Sequence, residues 1–206
     1  MDTITREMQQ QMTPGEALER LMAGNQRVLE GKPVERNHAL QVQQTSTAQY
    51  PFAAVLGCID SRAAAEHIFD LGIGDIFNAR VAGNIVNDDI LGSLEFACKV
   101  IGSKLILVMG HTNCGAVISA CDHVELGNIT SLLCRIQPAV SAFGNAAANT
   151  DQVAAYNVQL SVAQIRQQSP VLAEMEEKRE LMIRGAMYDV ATGKVALLPD
   201  YCAGCS

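Results

Sequence analysis

Two short apolar runs constrain the fold of this 206-residue chain more than any other feature. They read FAAVLG at residues 52–57 and KLILVMG at residues 104–110. Each run is too short for most buried helices and has the length of a strand that is covered on both faces. Helical patterns between and after the runs predict parallel βαβ units. The sequence therefore predicts an α/β fold, with flanking helices around a mostly parallel central sheet.

The segments around these runs support the same architecture. Residues 63–70 and 87–101 carry helical patterns, and residues 75–80 predict a strand between them. Residues 181–190 and 194–198 predict a closing pair of strands that is joined by a glycine-containing turn.

The N-terminal part has a different character. Residues 13–30 predict an amphipathic helix that begins with a threonine N-cap and Pro14. The polar residues 31–50 have no useful period and predict a connecting arm. We therefore divide the chain into an N-terminal helix and arm over residues 1–50 and an α/β catalytic domain over residues 51–206, in one structural unit.

Charge and hydropathy exclude two classes of partner. The formal net charge is -7, which disfavours nucleic acid and anionic membrane surfaces. No apolar stretch approaches the ~20 residues that cross a bilayer. The N-terminus lacks the basic start and apolar run of a secretory signal, so a cytoplasmic location is expected, although a removed signal would leave the same sequence.

The seven cysteines are odd in number and scattered, so we interpret them as reduced thiols. Cys98, Cys121 and Cys134 lie in apolar helical patterns, which predicts core packing. Cys202 and Cys205 form a CAGC tail that fits metal binding, a disulfide or a flexible end.

Three other residues are candidate metal ligands. Cys58 directly follows the first apolar run, and His111 and Cys114 follow the second in the sequence HTNC. Ligands bind outside the carboxyl ends of parallel strands, so the two segments can converge. Two thiolates and one imidazole suit zinc and leave a fourth position open, where a bound water can lose a proton near pH ~7 and become hydroxide.

The segment CIDSR adds an acidic and a basic residue next to Cys58. Asp60, paired with Arg62, would stay ionised and could accept a hydrogen bond from zinc-bound hydroxide. Alternatively, Asp60 could itself bind the zinc and close the site. Taken singly, each of these residues is better explained by a structural role than by metal chemistry. Cys58 could be a core thiol, His111 a loop histidine, and Asp60 with Arg62 a surface ion pair. Their joint occurrence favours a catalytic metal site.

CIDSR, ARVAGN at residues 79–84 and GHTNCGA at residues 110–116 occur in this order, and with them the chain resembles the β-class carbonic anhydrases. The resemblance extends from the N-terminal helix to GAMYDVATGKV near the end. It implies that zinc-bound hydroxide attacks carbon dioxide reversibly, giving bicarbonate and a proton. It also implies that the zinc ligands are Cys58, His111 and Cys114, with Asp60 and Arg62 orienting the hydroxide.

The resemblance further implies a substrate pocket near Gln49, Phe77, Ala82 and the backbone N–H of Gly115. It implies a homodimer or a dimer-based higher oligomer, in which the N-terminal helix embraces a neighbouring subunit. A helix that packs on its own domain would show the same amphipathic pattern.

One regulatory feature of some bacterial members is expected to be absent. Their bicarbonate inhibition site requires a tryptophan three residues before the first zinc cysteine, where this chain has Val55. Arg80 does occupy another position that is associated with that site. We predict that Asp60 stays paired with Arg62 and that the zinc remains open near neutral pH.

Two other functions compete with carbon dioxide hydration. The same zinc hydroxide could hydrolyse carbonyl sulfide or carbon disulfide. The chain could also be a non-catalytic zinc-binding or assembly protein, in which Asp60 and Arg62 would be incidental. His67 could relay protons from the site mouth, but a surface histidine is the simpler interpretation.

Overall fold

The computed structural model describes residues 3–143 and 149–200. Within these residues five strands form one sheet: β1 (Ala53–Gly57), β2 (Ile76–Arg80), β3 (Leu105–His111), β4 (Met182–Tyr188) and β5 (Val195–Leu197). Their order is β2-β1-β3-β4-β5. The first four strands are parallel, and β5 runs antiparallel to β4. The predicted α/β class and the closing strand pair are confirmed.

Helices cover both faces of this sheet. They are α1 (Arg6–Gln11), α2 (Pro14–Leu29), α3 (His38–Thr45), α4 (Ala65–Ile68), α5 (Asp88–Glu95), α6 (Gly115–Cys121), α7 (Gly127–Leu133), α8 (Gln137–Ser141), α9 (Thr150–Gln168) and α10 (Pro170–Glu177). A 3₁₀ turn at Ala82–Asn84 follows β2, and a π-helical turn at Phe96–Val100 follows α5. The π-helical turn ends the helix that the sequence predicted over residues 87–101.

Side chains along a central strand point alternately to the two faces of the sheet, and both faces are covered, which explains the continuous apolar sequence. Ala53 and Val55 of β1 belong to the core that α2 and α4 complete, whereas Ala54 and Leu56 belong to the core under α5, α9 and α10. All four side chains are buried. A strand that is covered on both faces needs an apolar residue at every position.

Helix α2 agrees with the predicted amphipathic helix. Thr13 and Glu16 form a capping box at its start. Ala17 and Leu21 are fully buried against the sheet of the same chain. The apolar face of α2 therefore packs on its own domain, and a role in embracing a neighbouring subunit stays a prediction.

The predicted arm over residues 31–50 is partly wrong, because it contains helix α3. Asn37 caps this helix by accepting a hydrogen bond from the N–H of Leu40. Gln41 is buried and accepts a hydrogen bond from the N–H of Ile73. The helix is anchored to the domain by a polar contact, which an apolar period cannot reveal.

The cysteines outside the candidate metal site have different environments. Cys98 is fully buried, which agrees with core packing, and Cys121 is half-buried. Cys134 is exposed at the end of α7, so its predicted core role is wrong. Cys202 and Cys205 lie outside the described residues. Across residues 3–143 and 149–200, no helix combines the length and the apolar character that crossing a membrane requires.

Candidate metal centre

The strand order brings the three candidate ligands to one edge of the sheet. Cys58 directly follows β1, His111 is the last residue of β3, and Cys114 directly precedes α6. Strands β1 and β3 are parallel neighbours, so their carboxyl ends meet. The chain runs from β1 to β2 on one side of β1 and then crosses from β2 to β3 on the other side, which makes this edge a topological switch point.

The three side chains form a compact and buried donor set. Cys58 Sγ, one imidazole nitrogen of His111 and Cys114 Sγ all lie within 4.8 Å of one another, and the two sulfurs are 3.9 Å apart. Two sulfurs bound to one tetrahedral zinc at about 2.3 Å would be separated by about 3.8 Å. The spacing therefore fits a single metal ion.

The orientation of His111 fits the same ion. Its Nδ1 lies 2.9 Å from the carbonyl oxygen of Thr112. A carbonyl only accepts, so Nδ1 carries a hydrogen, and in the neutral imidazole that binds metal Nε2 holds the lone pair. Nε2 is buried and has no hydrogen-bond partner among the described residues. A metal ion at the two sulfurs would satisfy this buried atom.

The two thiols are unequal. The hydrogen bond from Cys114 outweighs the effect of burial and lowers the pKa of Cys58, and the N–H groups of Gly83 and Asp60 act in the same direction. The pKa of Cys114 is raised because this thiol holds the shared hydrogen and is itself buried. This arrangement favours the thiolate form of Cys58, and a thiolate attracts a cation.

Asp60 lies beside this donor set and is paired with Arg62. Its Oδ1 accepts from the N–H and Nε of Arg62, both at 2.9 Å, and its Oδ2 accepts from Nη2 at 2.8 Å. Arg62 Nη2 also donates to the carbonyl of Asn113 at 3.3 Å. These bonds hold the pKa of Asp60 well below its usual range. The carboxylate is ionised, and its Oδ2 lies 3.9 Å from Nε2 of His111.

Arg80 supports the same loop from the neighbouring strand. It ends β2, and its Nε and Nη2 donate to the carbonyls of Cys58 at 2.9 Å and Asp60 at 2.6 Å. The sequence alone connects Arg80 only with a bicarbonate site and does not predict this contact. Its position at the carboxyl end of the strand beside β1 was the available signal.

The 3₁₀ turn after β2 adds a hydrogen bond to a candidate ligand. The N–H of Gly83 donates to Cys58 Sγ at 3.3 Å. Gly83 has φ 68°, and a Cβ atom added there would lie 2.6 Å from Cδ1 of Ile136. Both the backbone conformation and the available space therefore require glycine at this position.

Two of the four predicted substrate-binding residues lie beside the donor set. Ala82 directly precedes Gly83, which contacts Cys58. Gly115 directly follows Cys114 and is the first residue of α6, where a backbone N–H has no acceptor within the helix.

The other two predicted pocket residues lie elsewhere in the same chain. Gln49 precedes β1 and lines a groove with Lys104, at the opposite end of the sheet from the candidate ligands. Phe77 pairs with Ala54 near the start of β2 and makes an edge-on contact with Phe96. A single chain therefore does not gather all four residues. His67 is exposed on α4, in agreement with a surface histidine.

Comparisons with known proteins agree with this architecture. The model of the carbonic anhydrase family matches residues 53–195. A carbonic anhydrase of Mycolicibacterium smegmatis is 36% identical, with 89% of this chain and 93% of the relative covered. Carbonic anhydrase 2 of Mycobacterium tuberculosis is 32% identical, with coverage of 89% and 92%. The crystal structure of the β-carbonic anhydrase CafA of Aspergillus fumigatus superimposes with a TM-score of 0.72 at 27% identity, covering 78% of this chain and 81% of that one.

Proposed function

The chain belongs to the β-class carbonic anhydrase family, and on that premise we propose that it catalyses the reversible hydration of carbon dioxide to bicarbonate and a proton. One observation carries the proposal. Three buried candidate ligand atoms lie within 4.8 Å of one another. Beside them lies the carboxylate of Asp60, which two hydrogen bonds from the side chain of Arg62 keep ionised. This combination supports hydration more specifically than a metal site alone.

We propose that the metal is zinc and that Cys58 Sγ, His111 Nε2 and Cys114 Sγ hold it. Two thiolates and an imidazole suit zinc, and three protein ligands leave one position open to water. When bound in such a site, zinc lowers the pKa of a coordinated water to about 7 and so supplies a nucleophile at neutral pH. The orphaned Nε2 of His111 supports this assignment.

The proposed role of Asp60 is to orient the nucleophile. The ionised carboxylate can only accept hydrogen bonds, and its Oδ2 faces the ligand set at 3.9 Å from His111 Nε2. An O–H that donates to Oδ2 would direct its lone pair away from the carboxylate. The bonds from Arg62 keep Asp60 beside the metal position rather than on it, which supports an open site.

Ala82 and Gly115 are proposed to receive the substrate. The methyl group of Ala82 offers a small apolar wall next to the ligands, which suits carbon dioxide. The N–H of Gly115 is available at the start of α6 and can stabilise the negative charge that develops on a bicarbonate oxygen.

Gln49 and Phe77 support a homodimer. They lie away from the Cys58 edge of their own chain, so we propose that a second copy brings them to the pocket. In this dimer each subunit would complete the site of the other. Sedimentation analysis should show an assembly of at least two chains, and a fully active monomer would contradict the proposal.

A cytoplasmic location is proposed on the basis of the thiols. All five cysteines among the described residues are free, as expected in a reducing compartment. Cell fractionation would test this location.

Stopped-flow hydration combined with zinc quantification tests the proposed function. The zinc-loaded wild type should hydrate carbon dioxide, and Cys58→Ser should lose both zinc and activity. Cys134→Ser is the matched control because Cys134 is an exposed thiol outside the site, and this variant should retain both.

The other possible outcomes of this experiment would contradict the proposal in different ways. Zinc binding without measurable hydration would contradict the proposed enzyme and favour a non-catalytic zinc protein. Sulfide release from carbonyl sulfide, with little carbon dioxide hydration, would assign the rival hydrolase. Full activity in Cys58→Ser would refute the ligand assignment.

A further inference from the structure

Helix α9 carries two polar residues on its buried face. Asn157 and Ser161 are one helical turn apart and only 3% and 2% exposed. Their neighbours on this face include the fully buried Val158 and Ile165. Burying an amide or a hydroxyl costs free energy unless it forms hydrogen bonds. The partners of these two side chains therefore indicate why a polar pair occupies an apolar face.

Both side chains donate to consecutive carbonyls of the 3₁₀ turn after β2. Asn157 Nδ2 lies 2.9 Å from the oxygen of Gly83, and Ser161 Oγ lies 3.3 Å from the oxygen of Asn84. Gly83 and Asn84 have φ values of 68° and 43°. Glycine adopts this conformation freely, but a non-glycine residue such as Asn84 does so at a cost unless the surroundings hold it. Asn157 and Ser161 supply this support.

The same turn contacts a candidate metal ligand. The N–H of Gly83 donates to Cys58 Sγ, while the carbonyl of Gly83 accepts from Asn157. These two groups belong to the peptide planes on either side of the Gly83 Cα, so the bond to Asn157 restricts the N–H through the φ and ψ angles of Gly83, which are 68° and 19°. Hydrogen bonds to a ligand sulfur withdraw electron density from it and so tune the bound metal.

We propose that Asn157, assisted by Ser161, is a positioning residue for the metal centre. It holds the turn so that the Gly83 N–H stays on Cys58 Sγ and limits the electron donation of that sulfur. The inference rests on the metal centre of the proposed function. It assigns to α9 an effect on how strongly Cys58 Sγ donates to the metal, and this effect is transmitted through the backbone of the 3₁₀ turn.

Cobalt(II) loaded into the whole protein in place of zinc provides a readout besides activity. In Asn157→Leu the side chain keeps its approximate size but loses the donor, so the Gly83 N–H is released. The unshielded sulfur becomes a stronger donor, and the sulfur-to-cobalt charge-transfer band should move to lower energy. Zinc affinity should nevertheless fall about 10–100-fold, because the loosened turn no longer holds Cys58 in position and this loss outweighs the stronger donation of the sulfur. Ser161→Ala should shift the band in the same direction by a smaller amount, because its hydrogen bond is longer.

Asn25→Leu is the matched control. Asn25 is also a buried asparagine that holds backbone groups, donating to the carbonyls of Ile68 and Gly193 and accepting from the N–H of Val195. These contacts lie outside the metal centre. The control should lose stability as Asn157→Leu does, with an unchanged band and unchanged zinc affinity.

The outcomes separate this inference from the proposed function. An unchanged band and affinity in Asn157→Leu would overturn the positioning role, and so would an equal band shift in Asn25→Leu. If Asn157→Leu does not fold, Ser161→Ala decides, and an unchanged band there overturns the inference. A wild type that binds neither cobalt nor zinc would instead refute the proposed metal centre.

Discussion

Arg62 donates to both carboxylate oxygens of Asp60, with Nε on Oδ1 and Nη2 on Oδ2. The same Nη2 reaches the carbonyl of Asn113, in the loop between His111 and Cys114. The ion pair thus connects the two segments that supply the candidate ligands. Because Arg62 is about half exposed, with 51% of its side chain accessible, we assign the pair a role in geometry rather than in stability.

Replacing Asp60 by Asn tests the orienting role. The amide keeps the shape of the side chain but loses the charge, and it presents a donor where an acceptor is required. We expect about a 10–100-fold loss of kcat/KM with unchanged zinc content. Stopped-flow hydration and metal analysis would measure both quantities. Wild-type activity would refute the role, and zinc loss would make Asp60 part of the metal site.

Replacing Arg80 by Leu removes the donors that hold the carbonyls of Cys58 and Asp60. The loop that carries both residues should loosen, and zinc affinity should fall by about 10–100-fold. Competition with a chelator would measure the affinity. Arg80→Lys keeps the charge but cannot reproduce the planar two-point contact, so it should lie between wild type and Leu. Equal affinity in all three proteins would contradict this role.

Replacing Gly83 by Ala forces a Cβ atom onto a residue with φ 68° and within 2.6 Å of Ile136 Cδ1. We expect a loss of about 1–3 kcal/mol in the free energy of unfolding. Gly92→Ala is the control, since Gly92 lies in α5 and its Cβ would meet nothing within 4 Å. That variant should gain about 0.5–1 kcal/mol. Urea denaturation would measure the free energy of unfolding of both variants. A Gly83→Ala variant as stable as the wild type would contradict the prediction.

Asp70 gives a pH dependence that is independent of the metal site. It is buried. Burial by itself raises the pKa of Asp70, but hydrogen bonds from Arg27, Arg36 and the N–H of Val34 hold it below its ordinary value. The unfolded chain therefore takes up this proton at a higher pH than the folded protein. The stabilisation is present above the unfolded pKa of about 3.9 and is lost as the pH falls through the lower folded value.

Asp70→Asn should therefore lower the free energy of unfolding by about 3 kcal/mol at neutral pH, because it leaves two arginines without their carboxylate. Asparagine tolerates the left-handed backbone of this position, where φ is 48°. Denaturation between about pH 2 and 7 should show that this destabilisation shrinks as the pH falls below about 4. A difference that stays constant with pH would contradict the assignment.

Cysteine reactivity tests the two environments found outside the metal site. Burial raises the pKa of the Cys98 thiol to about 12, so it should resist iodoacetamide in the native protein. Cys134 is exposed and should react much faster than Cys98. Mass spectrometry of the alkylated native protein would identify the modified residues. Labelling of Cys98 at the rate of Cys134 would contradict the buried assignment.

The sequence by itself determined the strands and placed the candidate ligands at their ends. An apolar run of strand length defines its own end, and parallel strands place their carboxyl ends at one edge of a sheet, so Cys58 and His111 were expected at that edge. Thr13 and Pro14 likewise marked the start of α2, because capping depends on residues close in sequence. That β1 and β3 are direct neighbours was decided by the tertiary structure.

Only the tertiary structure decided how the site is held. Arg80 contacts the carbonyl of Cys58 from 22 residues away, and Asn157 contacts that of Gly83 from 74 residues away. Helix α3, predicted as an arm, depends on the buried Gln41 in the same way. Side-chain bonds to distant backbone groups leave no period or local motif, because each partner's position is set by the packing of whole strands and helices.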